Sequence, residues 1–226
     1  GTYNADGIKA IADSIAVTAS LTSIDLSRNY LRYEGAKALA SSLRDSPSLT
    51  SINLGFNSLG SEGAKALAPA ILDSPSVTSV SLLGNHVDIE SVTMLLQIKE
   101  GHAKLKTLCG LTHEETQLDY WNKGLGPADA MLLAPELQVM ASVTSIDVGF
   151  NKIGQAASLE LLAAMKDKNM VTIGMARCGL GVEGSKVVAE MISVMASVTS
   201  VRAFGNCRSS GGRWDYCSLP IACCVG

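Results

Sequence analysis

Leu21–Leu31 reads LTSIDLSRNYL and Leu49–Leu59 reads LTSINLGFNSL, one pattern restarted 28 residues further on. It returns as VTSVSLLGNHV at Val77–Val87 and as VTSIDVGFNKI at Val143–Ile153. The central apolar residue recurs at Ile24, Ile52, Val80, Leu108, Leu118, Ile146, Ile173 and Val201. Successive steps are 28 residues, except for 10 between Leu108 and Leu118 and 27 between Ile146 and Ile173. The stretches between are also copied, with EGAKALA at both Glu34–Ala40 and Glu62–Ala68, and MASVTS at both Met140–Ser145 and Met195–Ser200. Self-similarity at this period is the signature of stacked repeats, and seven or eight units fill nearly the whole chain.

Each unit has two halves with different hydrophobic periods. Ile24 and Leu26 alternate with Ser23, Asp25 and Ser27, the period of a strand with one buried face. Gly35–Leu43 instead places Ala36, Leu39, Ala40 and Leu43 on one helical face and Lys37, Ser41 and Arg44 on the other. Glu34 sits where a helix N-terminus favours negative charge, and Pro47 is expected to stop the helix after Asp45. Strands separated by one helix run the same way, so they predict a parallel sheet with strands about 4.8 Å apart and an outer layer of helices. Pro69 and Pro135 fall on the outward face of their helices and predict kinks there.

The 226 residues are 47% hydrophobic, 17% charged and 4% aromatic, the composition of a folded chain with a core of Leu, Ile, Val and Ala. A formal charge of −3 provides no basic field for nucleic acid or an anionic membrane, and no apolar run reaches the length of a membrane span. Gly1–Ala10 lacks the basic start and apolar core of a signal peptide.

The pattern LxxIxLxxNxL followed by xxEGAKALAxxL resembles the leucine-rich repeat of the ribonuclease-inhibitor type, over roughly Ile8 to Asn206. Ribonuclease inhibitor, the sensor domains of NOD-like receptors and the Ran GTPase-activating protein share that repeat. The resemblance implies an α/β solenoid of about 28 residues per repeat, a horseshoe with parallel strands on its concave face and helices on its convex face. It also implies protein binding by the concave face. The column after each strand, Asn29, Asn57, Asn85, Asn151, Cys178 and Asn206, corresponds to the family's turn ladder, whose side chains bond turn backbone inside the stack.

The step of 10 marks an irregular unit at 105–125, LKTLCGLTHEETQLDYWNKGL. Leu111–Gln117 spans at most about 25 Å, enough to return across a short strand but not to build a helix. A helix is therefore expected to be missing here, with a local wedge in the stack and a mobile acidic loop at His113–Gln117. Whether the break is a functional surface or a decayed repeat stays open. The array, 1–206, starts in mid-repeat, which reads as a fragment of a larger protein. Segment 207–226 carries four of the six cysteines and is expected to be a poorly ordered tail, a stapled cap and a zinc site being the other readings. No Asn starts an N-x-[ST] site, and the resemblance implies a cytoplasmic location.

No catalytic constellation, metal site or cofactor motif emerges. Cys109 with His113 as an activating base is the sharpest enzymatic pairing, but their columns point in different directions. The outward strand positions instead suggest a docking patch of Phe56, Leu83, Leu111, Trp121 and Phe150, rimmed by Asp25, Asn53, Asp119 and Asp147. Large apolar groups in a polar surround are what protein interfaces use as anchors. The competing reading tucks Phe56 and Phe150 against neighbouring turns and lets Trp121 fill the wedge. The expected function is a non-enzymatic scaffold that binds another protein on its concave face, with no nucleic-acid, membrane or small-molecule partner and no cofactor. The alternatives are a GTPase activator resembling the Ran activator, with Arg28 or Arg177 at a turn, and a purely structural spacer in a longer array.

Overall fold

The computed structural model describes residues 5–208 and 214–215. Its chain forms two compact units, one up to Thr112 and one from His113. The first contains helix α1 (Asp6–Val17), strand β1 (Ser23–Asp25), α2 (Arg32–Asp45), β2 (Ser51–Asn53), α3 (Gly60–Asp73), β3 (Ser79–Ser81) and α4 (Ile89–Gly101). Its strands lie parallel in the order β1-β2-β3, with Ile24, Ile52 and Val80 in register. Residues beyond α4 extend this sheet through bridges from Ser79 to Thr107 and from Ser81 to Cys109.

The second unit contains β4 (Gln117–Asp119), α5 (Pro127–Val139), β5 (Ser145–Asp147), α6 (Gln155–Met165), β6 (Thr172–Gly174), α7 (Gly181–Val194) and β7 (Ser200–Arg202). Its sheet runs β4-β5-β6-β7, all parallel, with Leu118, Ile146, Ile173 and Val201 in register. Backbone segments β8 (Cys207–Arg208) and β9 (Trp214–Asp215) pair antiparallel. The expectations for the rest of the cysteine-rich segment 207–226 lie outside the described residues.

The core follows from the two periods. Ile52, Leu54, Val80 and Leu82 of the strand segments are at most 1% exposed, as are Ala36, Leu39 and Leu43 of α2 and Ala64, Leu67 and Ile71 of α3. Because each rung carries nearly the same side chain as the next, neighbouring rungs match in volume. Helix α2 ends at Asp45, before Pro47, and Glu34, Glu62 and Glu183 stand in the first turns of α2, α3 and α7. Pro69 and Pro135 lie inside α3 and α5.

No helix forms between Gly101 and Gln117, as the short step requires. The loop after it, expected to be mobile, is hydrogen-bonded to the repeat that follows. His113 pairs through Nε2 with the fully buried Glu136 of α5. Ser142 Oγ donates to the carbonyls of His113 and Glu115 at 3.4 and 3.3 Å, and the Thr144 N–H donates to the Thr116 carbonyl at 2.8 Å.

The turn column supplies the polar counterpart of the apolar core. Asn57 is 0% exposed, and its Oδ1 accepts from the N–H groups of Asn29 (2.7 Å) and Leu31 (3.4 Å). Its Nδ2 donates to the carbonyls of Leu26 (2.9 Å), Leu54 (3.0 Å) and Gly55 (3.3 Å). Asn85 and Asn151 repeat the arrangement, and Asn206 does so with the N–H groups of Gly179 and Leu180. Asn29 is exposed, and its Nδ2 donates to Leu26 and Ser27 of its own repeat. Replacing Asn57 by Ala leaves several buried backbone groups unbonded and is expected to cost about 3 kcal/mol in urea unfolding, against about 1 kcal/mol for Asn29→Ala.

Helix α4 departs from the common start, with Asp88 as N-cap accepting from the Ser91 N–H at 2.8 Å. Hydrogen bonding to Ser91, and then to Ser61, lowers the Asp88 carboxyl from 3.8 to about 2. A depressed folded value means that this stabilisation is complete above the unfolded value and is lost as pH falls through the folded one. The urea midpoint of Asp88→Ala should therefore fall less steeply than that of the parent between about pH 5 and about pH 2.5.

Candidate protein-binding face

The face of each sheet turned away from the helices is shaped by the residue that directly follows the strand centre. Asp25, Asn53, Asp119 and Asp147 each accept, through Oδ1, the N–H of the residue two further on, at 2.8 to 3.0 Å. These are Asx turns that start the chain's exit from the strand. Asp25 is exposed, also accepts from Asn53 Nδ2 at 3.1 Å, and its pKa is lowered, first by hydrogen bonding to Ser27.

In the first unit, Phe56 is half-buried with its ring laid over Gly84 of the next turn, where an added Cβ would stand 2.3 Å from it. The Arg28 guanidinium lies over the Phe56 ring, 4.5 Å from its centroid. Leu83, adjoining the covered Gly84, is only 3% exposed, so its expected role as an exposed anchor is corrected. Leu111 is half-buried.

In the second unit, Trp121 remains 37% exposed and Phe204 41%, with the half-buried Phe150 between them. The Trp121 and Phe150 rings are 4.2 Å apart and tilted by 44°, and Phe150 meets Phe204 edge-on at 6.0 Å. Arg177 stacks on Phe150 at 5.0 Å. Asp119 is exposed, whereas Asp147 is 9% exposed, which corrects its place on an open rim. Its carboxylate lies across Gly174, where a Cβ would come within 2.3 Å, and reaches Arg202 Nη1 at 2.9 Å. A carboxylate drawn onto a bare backbone and paired across two repeats is withdrawn from solvent. Sequence reasoning assigned Phe204, Arg177 and Arg202 no part in the patch, although the gap at Gly174 in an acidic column was its visible sign.

The same columns account for the remaining reactive groups. His102 Nδ1 accepts the N–H groups of Leu105 (2.9 Å) and Lys104 (3.2 Å), and Nε2 faces the Ser74 carbonyl at 3.3 Å. That ring fills the role that the Ser74 and Ser46 hydroxyls have one and two repeats earlier. Among the described residues no group of His, Cys, Asp and Glu could hold a metal ion.

A family model described as leucine-rich repeat matches residues 19–40 and 45–68. The fold is a leucine-rich-repeat solenoid. A solved tropomodulin C-terminal domain from Caenorhabditis elegans is similar at 14% identity and a TM-score of 0.37, covering 82% of this chain and 91% of that one. Actin-binding site 2 of leiomodin-1 is similar at 11% identity and a TM-score of 0.36, covering 85% and 90%. No curated protein matches.

Within the solenoid's turn column, Cys178 stands where other repeats carry Asn. Its Sγ lies 3.0 Å from the Val148 carbonyl and 3.6 Å from that of Ala176. Burial pushes its thiol up to about 12, the backbone N–H of Asn151 pulling it back and the Asp147 charge adding to the rise. Cys109 is buried as well. Iodoacetamide at about pH 8 should leave both unlabelled in the native protein and label both in urea, as read by peptide mass mapping.

Proposed function

We propose that this solenoid is a non-enzymatic protein-binding scaffold of the ribonuclease-inhibitor type, acting in the cytoplasm, whose helix-free sheet face receives the partner. The observation that carries this reading is the aromatic strip Trp121–Phe150–Phe204, held open to solvent at both ends and braced by Arg177. Rigid aromatic rings on a polar face bury much area on binding at little cost in side-chain entropy, which is why interfaces concentrate their energy in them. Asp119 beside Trp121 supplies the polar rim in this unit. In the first unit Phe56 and Leu111 offer half-buried apolar surface beside Asp25 and Asn53.

A 28-residue period with one helix per repeat supports the ribonuclease-inhibitor type. The net charge of −3 argues against nucleic acid, and no described helix is long and apolar enough to cross a membrane.

The test is affinity capture from cell extract with the parent, Trp121→Ala and Phe150→Ala, quantified by mass spectrometry. A partner docking on the strip should be captured about tenfold less by each variant, with urea midpoints confirming that the variants fold. Capture unchanged in both variants would sink the proposed face.

A further inference from the structure

The first repeat leaves open a face that the next repeat keeps buried. Ile11, Ser14, Ile15 and Thr18 of α1, with Leu21 and Ile24, line a groove of about 290 Å³ that no charged side chain borders. The residues 28 positions later are Leu39, Ser42, Leu43, Ser46, Leu49 and Ile52, nearly the same set. There Leu39, Leu49 and Ile52 are at most 1% exposed, because α1 packs on α2 and β1 pairs with β2. In the groove Ile11 is 39% exposed, Ser14 is exposed, and Leu21 and Ile24 are half-buried. The hydroxyls of Ser14 and Thr18 donate to the carbonyls of Ala10 and Ser14 in their own helix, at 2.9 and 2.6 Å. The helix side of the groove therefore offers an occupant apolar contact and no polar group that needs a partner.

The backbone of β1 is open in the same way. Toward β2, the Thr22 carbonyl accepts from Thr50 and Ser51, and the Leu26 N–H donates to Asn53. Alternation along the strand then turns the N–H and C=O groups of Ser23 and Asp25 the other way. Among the described residues no strand pairs with that edge, as β1 stands first in its sheet. An unpaired edge beside an apolar groove is a template for another strand and helix.

We infer that this face is a dimer interface, filled by α1 and β1 of a second copy of the chain. The strand edge is self-complementary about a two-fold axis at Ile24. In an antiparallel pair centred there, Ser23 of each copy lies opposite Asp25 of the other, and the two exchange N–H···O=C bonds twice over. That register sets each Asp25 carboxylate against a serine and keeps the two carboxylates from facing each other. Ile24 then meets Ile24 of the other copy on the core side, and the two α1 helices lie alongside each other in the helix layer. Inside the chain, the copied face is covered by a helix and a strand together, and a second copy supplies both. An extended peptide would pair with the edge but leave Ile11 bare. A two-fold pairing also closes after two copies and consumes both open edges. This face belongs to the first unit and is independent of the aromatic strip of the second.

The experiment is sedimentation velocity of the full chain from about 1 to about 100 μM, which reads the mass of each species as concentration rises. The parent should pass from monomer to dimer and stop there. Ile11→Lys places a charge in the groove on an already exposed helix position, and Ser23→Pro removes an outward N–H at the first residue of the strand. Each should weaken the dimer about tenfold or more while keeping the parent's far-UV circular dichroism, and Trp121→Ala should dimerise as the parent does. A parent that stays monomeric overturns the inference and assigns the groove to another occupant. Assembly that grows beyond the dimer overturns the two-fold pairing. A folded Ile11→Lys or Ser23→Pro that dimerises like the parent removes α1 or the β1 edge from the interface, and loss of the dimer in Trp121→Ala transfers it to the aromatic strip; each of these overturns the inference as well.

Discussion

A buried amide at the strand exits of Asn57, Asn85, Asn151 and Asn206 has to be hydrogen-bonded on both sides, and the repeat is built around that requirement. Asn57 sits at 0% exposure between the turn of its own repeat and that of the one before, accepting from Asn29 and Leu31 and donating to Leu26, Leu54 and Gly55. Backbone groups in such turns have no strand partner, and leaving them dry and unbonded would cost more than most single contacts return. One side chain per repeat meets the need only if successive turns superimpose. The 28-residue spacing is thus a hydrogen-bonding constraint as much as an apolar one, and Cys178 meets it with a thiol where the strand centres step by 27.

The same turns dictate what the binding face presents. The Asx turns of Asp25, Asn53, Asp119 and Asp147 start the exit, and the residue before the ladder position takes a positive φ at Arg28, Phe56, Asn122, Phe150 and Arg177. A side chain launched from that conformation lies along the stack toward the next turn. Phe56 on Gly84, Arg28 on Phe56, and Arg177 against Gly205 follow from it. Backbone geometry therefore turns a column of single residues into rows of stacked rings and guanidiniums.

How far these features were legible depended on their range along the chain. Ile24, Ile52 and Val80 align because each repeat restates its neighbour, and the α2 boundary at Asp45 follows from Pro47 alone. Leu83 was misjudged because the strand's alternation was carried past its end into the turn, where the column closes against the next repeat and leaves 3% exposure. Asp147 looked like Asp25 and Asp119, yet Gly174 beside it and Arg202 two repeats on drew it down. The partner of the irregular loop was invisible in the sequence: His113 meets Glu136 on a helix 23 residues away, outside any repeat column.

What the sequence determined by itself is the repeat: its period, its alternation of strand and helix, its apolar file and the absence of a helix between Leu108 and Leu118, all of them short-range patterns. Only the tertiary structure decided which exposed-looking residues are exposed, which carboxylates are paired, and which strands share a sheet. Those outcomes depend on what stands 28 or 55 residues away in the adjoining turns, and a side chain's surroundings there are set by three-dimensional packing that no single repeat encodes.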